Sequence, residues 1–299
     1  MLLKVLENGK LENMHVAFYP ELVRFFPVIN LEDDNRPEAA SISISHNPVD
    51  GDASAMTVPL LPDTDRLEMF DIAMHSSPTS AYDMGRDYND WFSKCLGYRV
   101  IFAYLGRNTR PVLMSVGRDD AGKGSWMSPI SNFLPTTTGS LIQPKAKTIR
   151  FADCAPYLVV STTSLQDVSR RMTDGKIVDI EKFRPNIIVD GAEEPWEEDF
   201  WAELDFVNAK LDLVHNCVRC QSLNIDYETG KPGIGESGKV FKKLQSDRRV
   251  DSGAKYSPVF GRYSFLHGND EGQIIMVGDE VAVTRRNEKR TVFDWPGLG

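Results

Sequence analysis

What most constrains this chain is the brevity of its apolar runs. Short apolar or alternating stretches at 22–30, 41–45, 67–75 and 99–104 are closed by clusters of Pro, Asp, Asn and Gly, and they read as β-strands. Runs at 157–161, 186–190, 210–215 and 221–227 add further strands, and 261–267 with 273–284 predicts a closing hairpin around 268–272. At the start, Asn8-Gly9 between two strand-like segments predicts a type I′ turn with positive φ at both centres.

Helical periodicity is scarce. It occurs over 84–96, where Tyr88, Trp91, Phe92 and Cys95 recur at spacings of three and four and Gly97 ends the run. A second helix is predicted near 165–172, opened by a capping box of Thr163 and Gln166, and a short third one at 239–245. Residues 119–144, rich in Gly, Ser, Thr and Pro, read as a connecting or lid-like loop. The fold class expected is α+β and mainly β: a curled or barrel-like sheet with a few peripheral helices and a β-rich N-terminal subdomain. The expected division is 1–115, 116–285 and a tail at 286–299.

Composition removes several function classes. With 41% hydrophobic and 26% charged residues among 299, wholesale disorder is excluded. A formal net charge of -9, from 34 Lys plus Arg against 43 Asp plus Glu, argues against broad nucleic-acid binding but allows a local arginine cluster for one anionic cofactor. No apolar run approaches the roughly 18 residues of a membrane span, and no leader peptide is recognisable. The four cysteines, Cys95 and Cys154 isolated and Cys217 and Cys220 close together, do not make a disulfide framework, so a reducing compartment is expected.

Three local patterns carry chemistry. Gly233-Ile234-Gly235-Glu236-Ser237-Gly238-Lys239-Val240 matches both the dinucleotide spacing and most of a P-loop. Val240 stands where the P-loop needs a magnesium-binding hydroxyl, and no βαβ unit of adequate length surrounds the glycines, so an exposed, flexible loop is the preferred reading.

Asn216-Cys217-Val218-Arg219-Cys220 is expected on a turn joining two strands. Zinc would need a second pair of soft ligands, with His215 the nearest candidate, and a redox dithiol would need a long helix after the pair. A third chemistry is one thiolate on a soft transition metal, with Arg219 as partner for an anionic cofactor. The structural alternative is a pair of small buried hydrophobes beside a surface Arg.

Phe183-Arg184-Pro185-Asn186 leads into Ile187-Ile188-Val189. Arg184, before proline, is expected in an extended conformation, and Asn186 offers donors and an acceptor at the head of a buried strand.

Taken in order, the block 183–189, Trp201, Cys217-Val218-Arg219-Cys220, Asp226-Tyr227-Glu228-Thr229-Gly230, Ser257-Pro258-Val259-Phe260-Gly261-Arg262-Tyr263 and Val277-Gly278-Asp279-Glu280-Val281 resemble the signature of the MOSC domain. More narrowly they resemble the mitochondrial amidoxime reducing component family and its bacterial and fungal relatives, closely over about residues 150–285. The resemblance implies a molybdenum cofactor, a pterin dithiolene carrying phosphate, with Cys220 as the metal ligand and the catalytic residue. Arg184, Asn186 and Arg219 carry over as cofactor contacts, as does Asp153, although its neighbours are Cys154 and Ala155 where relatives have small hydroxylated residues.

The Y-P-I/V-K-S strand and the Asp-Arg pair with which relatives open do not occur here, and the sequence is expected to begin just after them. The activity implied is reduction of N-hydroxylated substrates such as amidoximes, with electrons from cytochrome b5 and its reductase. Attachment to the mitochondrial outer membrane or a cytoplasmic location would depend on a preceding anchor. The alternatives are a sulfur-carrying accessory protein, with pyridoxal phosphate as the associated cofactor, and an inactive binding protein.

Overall fold

The computed structural model describes residues 1–31, 39–116, 147–268 and 272–299. The loop expected at 119–144 lies outside the described residues. Within them the chain is mainly β, with curled sheets and three α-helices, as the brevity of the apolar runs predicts.

The largest sheet has six strands in the order Ile187–Val189, Tyr157–Ser161, Val259–Leu266, Ala209–Val218, Trp201–Phe206 and Val281–Arg286. Only the first pair is parallel. A parallel pair needs a long crossover, and the helix Thr162–Arg170 lies within it. Its inner strands are buried on both faces, which explains the apolar run 157–160. Leu158 and Val160 enter a core with Cys217, Phe183 and Phe260, whereas Val159 packs on the other side with Trp201, Leu204 and Leu211.

The N-terminal part forms a five-stranded sheet, Leu11–Asn13, Leu2–Val5, Val100–Tyr104, Ser77–Asp83 and Met69–Met74, and a three-stranded one, Phe25–Asn30, Ser41–His46 and Ser54–Pro59. The helix Arg86–Leu96 joins them through Phe92, which packs with Ile44, Val58 and Val100. As predicted, Gly97 ends this helix in the left-handed conformation. Residues 287–299 fold back onto the large core, where Phe293 and Trp295 are buried.

Several local expectations are corrected. The closing hairpin does not form: Val259–Leu266 is taken between Tyr157–Ser161 and Ala209–Val218, and Val281–Arg286 pairs with Trp201–Phe206 instead. Burying both faces of 259–266 outweighs adjacency in sequence. The helix after 161 is capped by Ser161, whose Oγ accepts from the Thr163 N–H at 3.2 Å, two residues before the cap of the predicted box. In the first hairpin only Gly9 has positive φ, and its N–H donates to Leu6, so the turn is not type I′. The run 221–227 is mostly a short 3-10 turn, Gln221–Asn224, with a strand only at Ile225–Asp226.

Candidate functional site

The site is assembled from four separate parts of the chain. The first is the loop after Thr148–Ile149, which presents Asp153. Its backbone is fixed by Arg110, fully buried, whose guanidinium donates to the carbonyls of Arg150 (2.9 Å), Asp153 (2.5 Å), Met74 (3.3 Å) and Ala152. A guanidinium with its donors thus distributed leaves little freedom to the loop. Arg110 also lies over the Trp295 ring, 5.5 Å from its centroid.

The second part is the tip of the hairpin Met69–Met74 and Ser77–Asp83. His75 and Ser76 form it with φ of 52° and 63°, both in the left-handed region. The Trp295 indole donates to the His75 carbonyl at 2.8 Å, and His75 Nε2 lies 3.4 Å from Asp153 Oδ1.

The third part is the block 183–186. Arg184 is not extended: it closes the 3-10 turn Ile180–Phe183 at φ 53°, ψ 47°, with its N–H donating to Glu181 at 2.9 Å. The need to end that turn overrides the pre-proline preference. The turn swings the Arg184 side chain onto Asp153, with Nη2 3.2 Å from Oδ2. Asn186 clamps the head of the next strand instead: its Oδ1 accepts from the Leu158 N–H (2.8 Å), and its own N–H donates to the Leu158 carbonyl (2.9 Å).

The fourth part carries the cysteines, and it differs from the predicted turn. Cys217 is buried inside the strand Ala209–Val218, while Cys220 is exposed at the entry of the 3-10 turn 221–224. Arg219 points inward, donating from Nη1 to Cys217 Sγ at 2.9 Å and from Nη2 to the Phe183 carbonyl at 2.5 Å. Cys220 Sγ lies 3.1 Å from the hydroxyl of Ser222.

Electrostatically, this face combines one ionised acid with fixed cations. Burial alone would raise the Asp153 pKa, but the hydrogen bond from His75 and the charge of Arg184 outweigh it and hold the carboxyl at about 2. Burial works against the Arg184 charge, and Asp153 and the nearby Cys220 and Cys217 more than compensate, raising its pKa. Burial pushes the Cys154 thiol up, which makes it inert, and likewise raises Tyr227.

Sequence reasoning placed Asp153, Arg184, Arg219 and Cys220 among the candidates, and the fold gathers the Asp153–Arg184 pair near the cysteines. It missed His75, Arg110 and Ser222. Ser222 could have been found as the hydroxyl two residues beyond Cys220, whereas the other two announce themselves only through partners distant in sequence.

Two competing chemistries lose ground. Among the described residues the one group of three or more His, Cys, Asp or Glu side chains close enough for a shared metal ion is Glu203, Asp212 and His267, without a cysteine. His215 turns to Ser115, with Nε2 2.9 Å from its carbonyl oxygen. In the glycine segment, the strand Lys231–Pro232 has two residues and the helix Val240–Gln245 six, and Lys239 pairs with Glu236 at 3.2 Å. That is neither a dinucleotide fold nor a free P-loop lysine.

Residues 146–282 match the MOSC domain family. Mitochondrial amidoxime-reducing component 1 of Homo sapiens is 32% identical over 151 residues, which are 49% of this chain and 42% of that protein. Mitochondrial amidoxime reducing component 2 of Bos taurus is 35% identical over 119 residues, 38% of this chain and 34% of its own length. A molybdenum cofactor sulfurase of Oryza sativa subsp. japonica is 27% identical over 143 residues, 44% of this chain and 17% of its own. The chain thus matches less than half the length of each of these relatives.

Proposed function

We propose that this chain, which carries a MOSC domain and resembles the mitochondrial amidoxime-reducing components, is a molybdenum-cofactor-dependent oxidoreductase that reduces N-hydroxylated substrates. The observation that carries the reading is the exposed Cys220 thiol beside an Asp153–Arg184 pair. A soft sulfur ligand next to a fixed guanidinium suits a thiolate-bound metal on an anionic pterin.

The donor set fits such a group. Cys220 is the metal ligand. Arg184, with its side chain 56% exposed, is available to an anionic oxygen, whereas Arg219 is committed to Cys217 and Phe183 and braces the cysteine strand from within. Asn186 acts on the site by fixing the strand entry next to Arg184. We assign the cofactor-binding platform to 116–285, with 1–115 covering it through the His75 hairpin.

The molybdenum centre supplies the two-electron chemistry for removing the oxygen of an N–O bond. The chain supplies the rest: Arg184 orients the anionic edge, Asp153 keeps Arg184 in place, and Ser222 can donate a hydrogen bond to the Cys220 sulfur. Electrons would come from a one-electron haem donor such as cytochrome b5, served by its reductase. The test is anaerobic reduction of an amidoxime by the molybdenum-loaded chain with that donor pair. Amidine formation that disappears in Cys220→Ser supports the reading, and a loaded chain that forms none overturns it.

A further inference from the structure

Among the described residues the one hydrogen-bonding partner of the Cys220 sulfur is the Ser222 hydroxyl, 3.1 Å away. In the free thiol either group can donate. A sulfur that holds a metal is a thiolate and carries no proton, so in the loaded site the hydroxyl must donate and the sulfur accept. Ser222 is 7% exposed, and its hydroxyl has no other partner among the described residues. A buried hydroxyl left without a bond is costly, which holds this one on the sulfur.

The turn that carries this hydroxyl is fixed from several sides. Within the 3-10 turn Gln221–Asn224 the Ser222 carbonyl accepts from the Ile225 N–H, and Leu223 is buried in the same core as Phe241 and Leu244. Asn224 ties the turn to its neighbours: its Oδ1 accepts from the Phe241 N–H at 3.0 Å, its carbonyl accepts from the Gly233 N–H at 2.7 Å, and its Nδ2 donates to Gln221 Oε1 at 2.8 Å. The glycine-rich segment thus braces the cysteine turn instead of holding a nucleotide. A donor positioned in advance has little reorganisation to make when the charge on its acceptor changes. The nearby guanidinium groups are directed elsewhere, Arg219 to Cys217 and Phe183 and Arg184 to Asp153.

We infer that Ser222 sets the reduction potential of the proposed molybdenum site, raising it through the hydrogen bond to the Cys220 sulfur, an assignment that rests on the molybdenum reading above. A donor on the sulfur draws electron density out of the sulfur–metal bond, which favours the reduced metal; hydrogen bonds to ligand sulfurs tune iron–sulfur centres by the same physics. The effect falls on electron uptake. Reduction of an amidoxime breaks its N–O bond, consumes two electrons and two protons, and releases the amidine and water. The haem donor named above returns those electrons one at a time, and a higher potential at the site makes each return more favourable. Ser222 touches the ligand sulfur and not the substrate, so it is a positioning residue.

The test is a redox titration followed by EPR on the full chain loaded with molybdenum cofactor, comparing the wild type with Ser222→Ala and Ser222→Thr. Ser222→Ala removes the donor and keeps the turn, whose other bonds come from Asn224 and the backbone. Molybdenum content should match the wild type, because the hydroxyl is not a ligand. The midpoint potential should fall by about 59 mV, a tenfold shift in a one-electron equilibrium. Ser222→Thr keeps the hydroxyl and should keep the wild-type potential. An unchanged potential in the loaded Ser222→Ala chain overturns the inference, and so does a fall that a folded, loaded Ser222→Thr chain shares in full. A wild-type chain that takes up no molybdenum, or a Cys220→Ser chain that retains it, instead removes the molybdenum reading and the role of Ser222 with it.

Discussion

Arg219 is bonded to Cys217 and not to Cys220: its Nη1 lies 2.9 Å from the buried Cys217 sulfur, and the same guanidinium reaches the Phe183 carbonyl across the core. The two cysteines of the segment therefore have different work. Cys217 anchors the arginine that ties the cysteine strand to the 183–186 block, and Cys220 is left to the outside. Replacing Arg219 by Lys should break one of the two bonds, because an ammonium lacks the planar fork that serves both. The expected outcome is a loss of about 2 kcal/mol in unfolding free energy together with lower molybdenum content, read by urea titration and metal analysis on the same preparation.

The same division predicts thiol reactivity. In the cofactor-free native chain, Cys220 should be alkylated by iodoacetamide first, with Cys154 and Cys217 protected until the protein unfolds. Peptide mass mapping after a short exposure distinguishes them, and alkylation of Cys217 ahead of Cys220 contradicts the assignment.

Glu198 predicts a pH dependence of stability. It is fully buried, and burial raises its pKa to about 7, against the pull of the Ser164 hydroxyl bonded to it at 2.7 Å. A carboxyl with a raised folded pKa binds more protons in the native state than in the unfolded one. Its contribution therefore falls as pH rises from about 4.5, the unfolded value, to about 7, and is constant beyond. Stability measured by urea midpoint should decline over that window by up to about 3 kcal/mol from this group, and Glu198→Gln should flatten the decline.

Gly261 predicts a backbone effect in the central strand Val259–Leu266. It has φ of 82°, and a Cβ there would sit 2.8 Å from the Val159 carbonyl oxygen in the neighbouring strand. Gly261→Ala combines left-handed strain with a clash against backbone, and should lower stability by about 3 kcal/mol or more in a thermal melt. A midpoint equal to that of the wild type contradicts the local geometry.

Much of this fold was legible because local patterns and tertiary environment agree. The run 157–160 is apolar because both faces of its strand are covered, and the helix Arg86–Leu96 carries its periodicity and its terminal glycine in sequence. The failures come from competition between segments. The partner of 259–266 could not be read from its neighbours, since two strands from elsewhere claim both its edges. Arg184 was misjudged because ending a 3-10 turn dominates the proline rule, and that reversal is what brings it to Asp153.

In the site itself, the ordered motifs around Arg184 and Cys220 were visible, whereas His75 was not. Its partner Asp153 is 78 residues away, and the hairpin that presents it has an ordinary strand–turn–strand sequence. Arg110 was hidden for a similar reason, since its role lies in backbone carbonyls of segments brought together only by folding.

The central claim is that Cys220 is the ligand of a molybdenum centre, and the most direct measurement is the molybdenum content of the purified chain beside its Cys220→Ser variant, expressed with cofactor supply. The account predicts roughly stoichiometric metal in the wild type and its loss in a Cys220→Ser protein that remains folded by circular dichroism. Equal molybdenum in both proteins, or none in either, contradicts it.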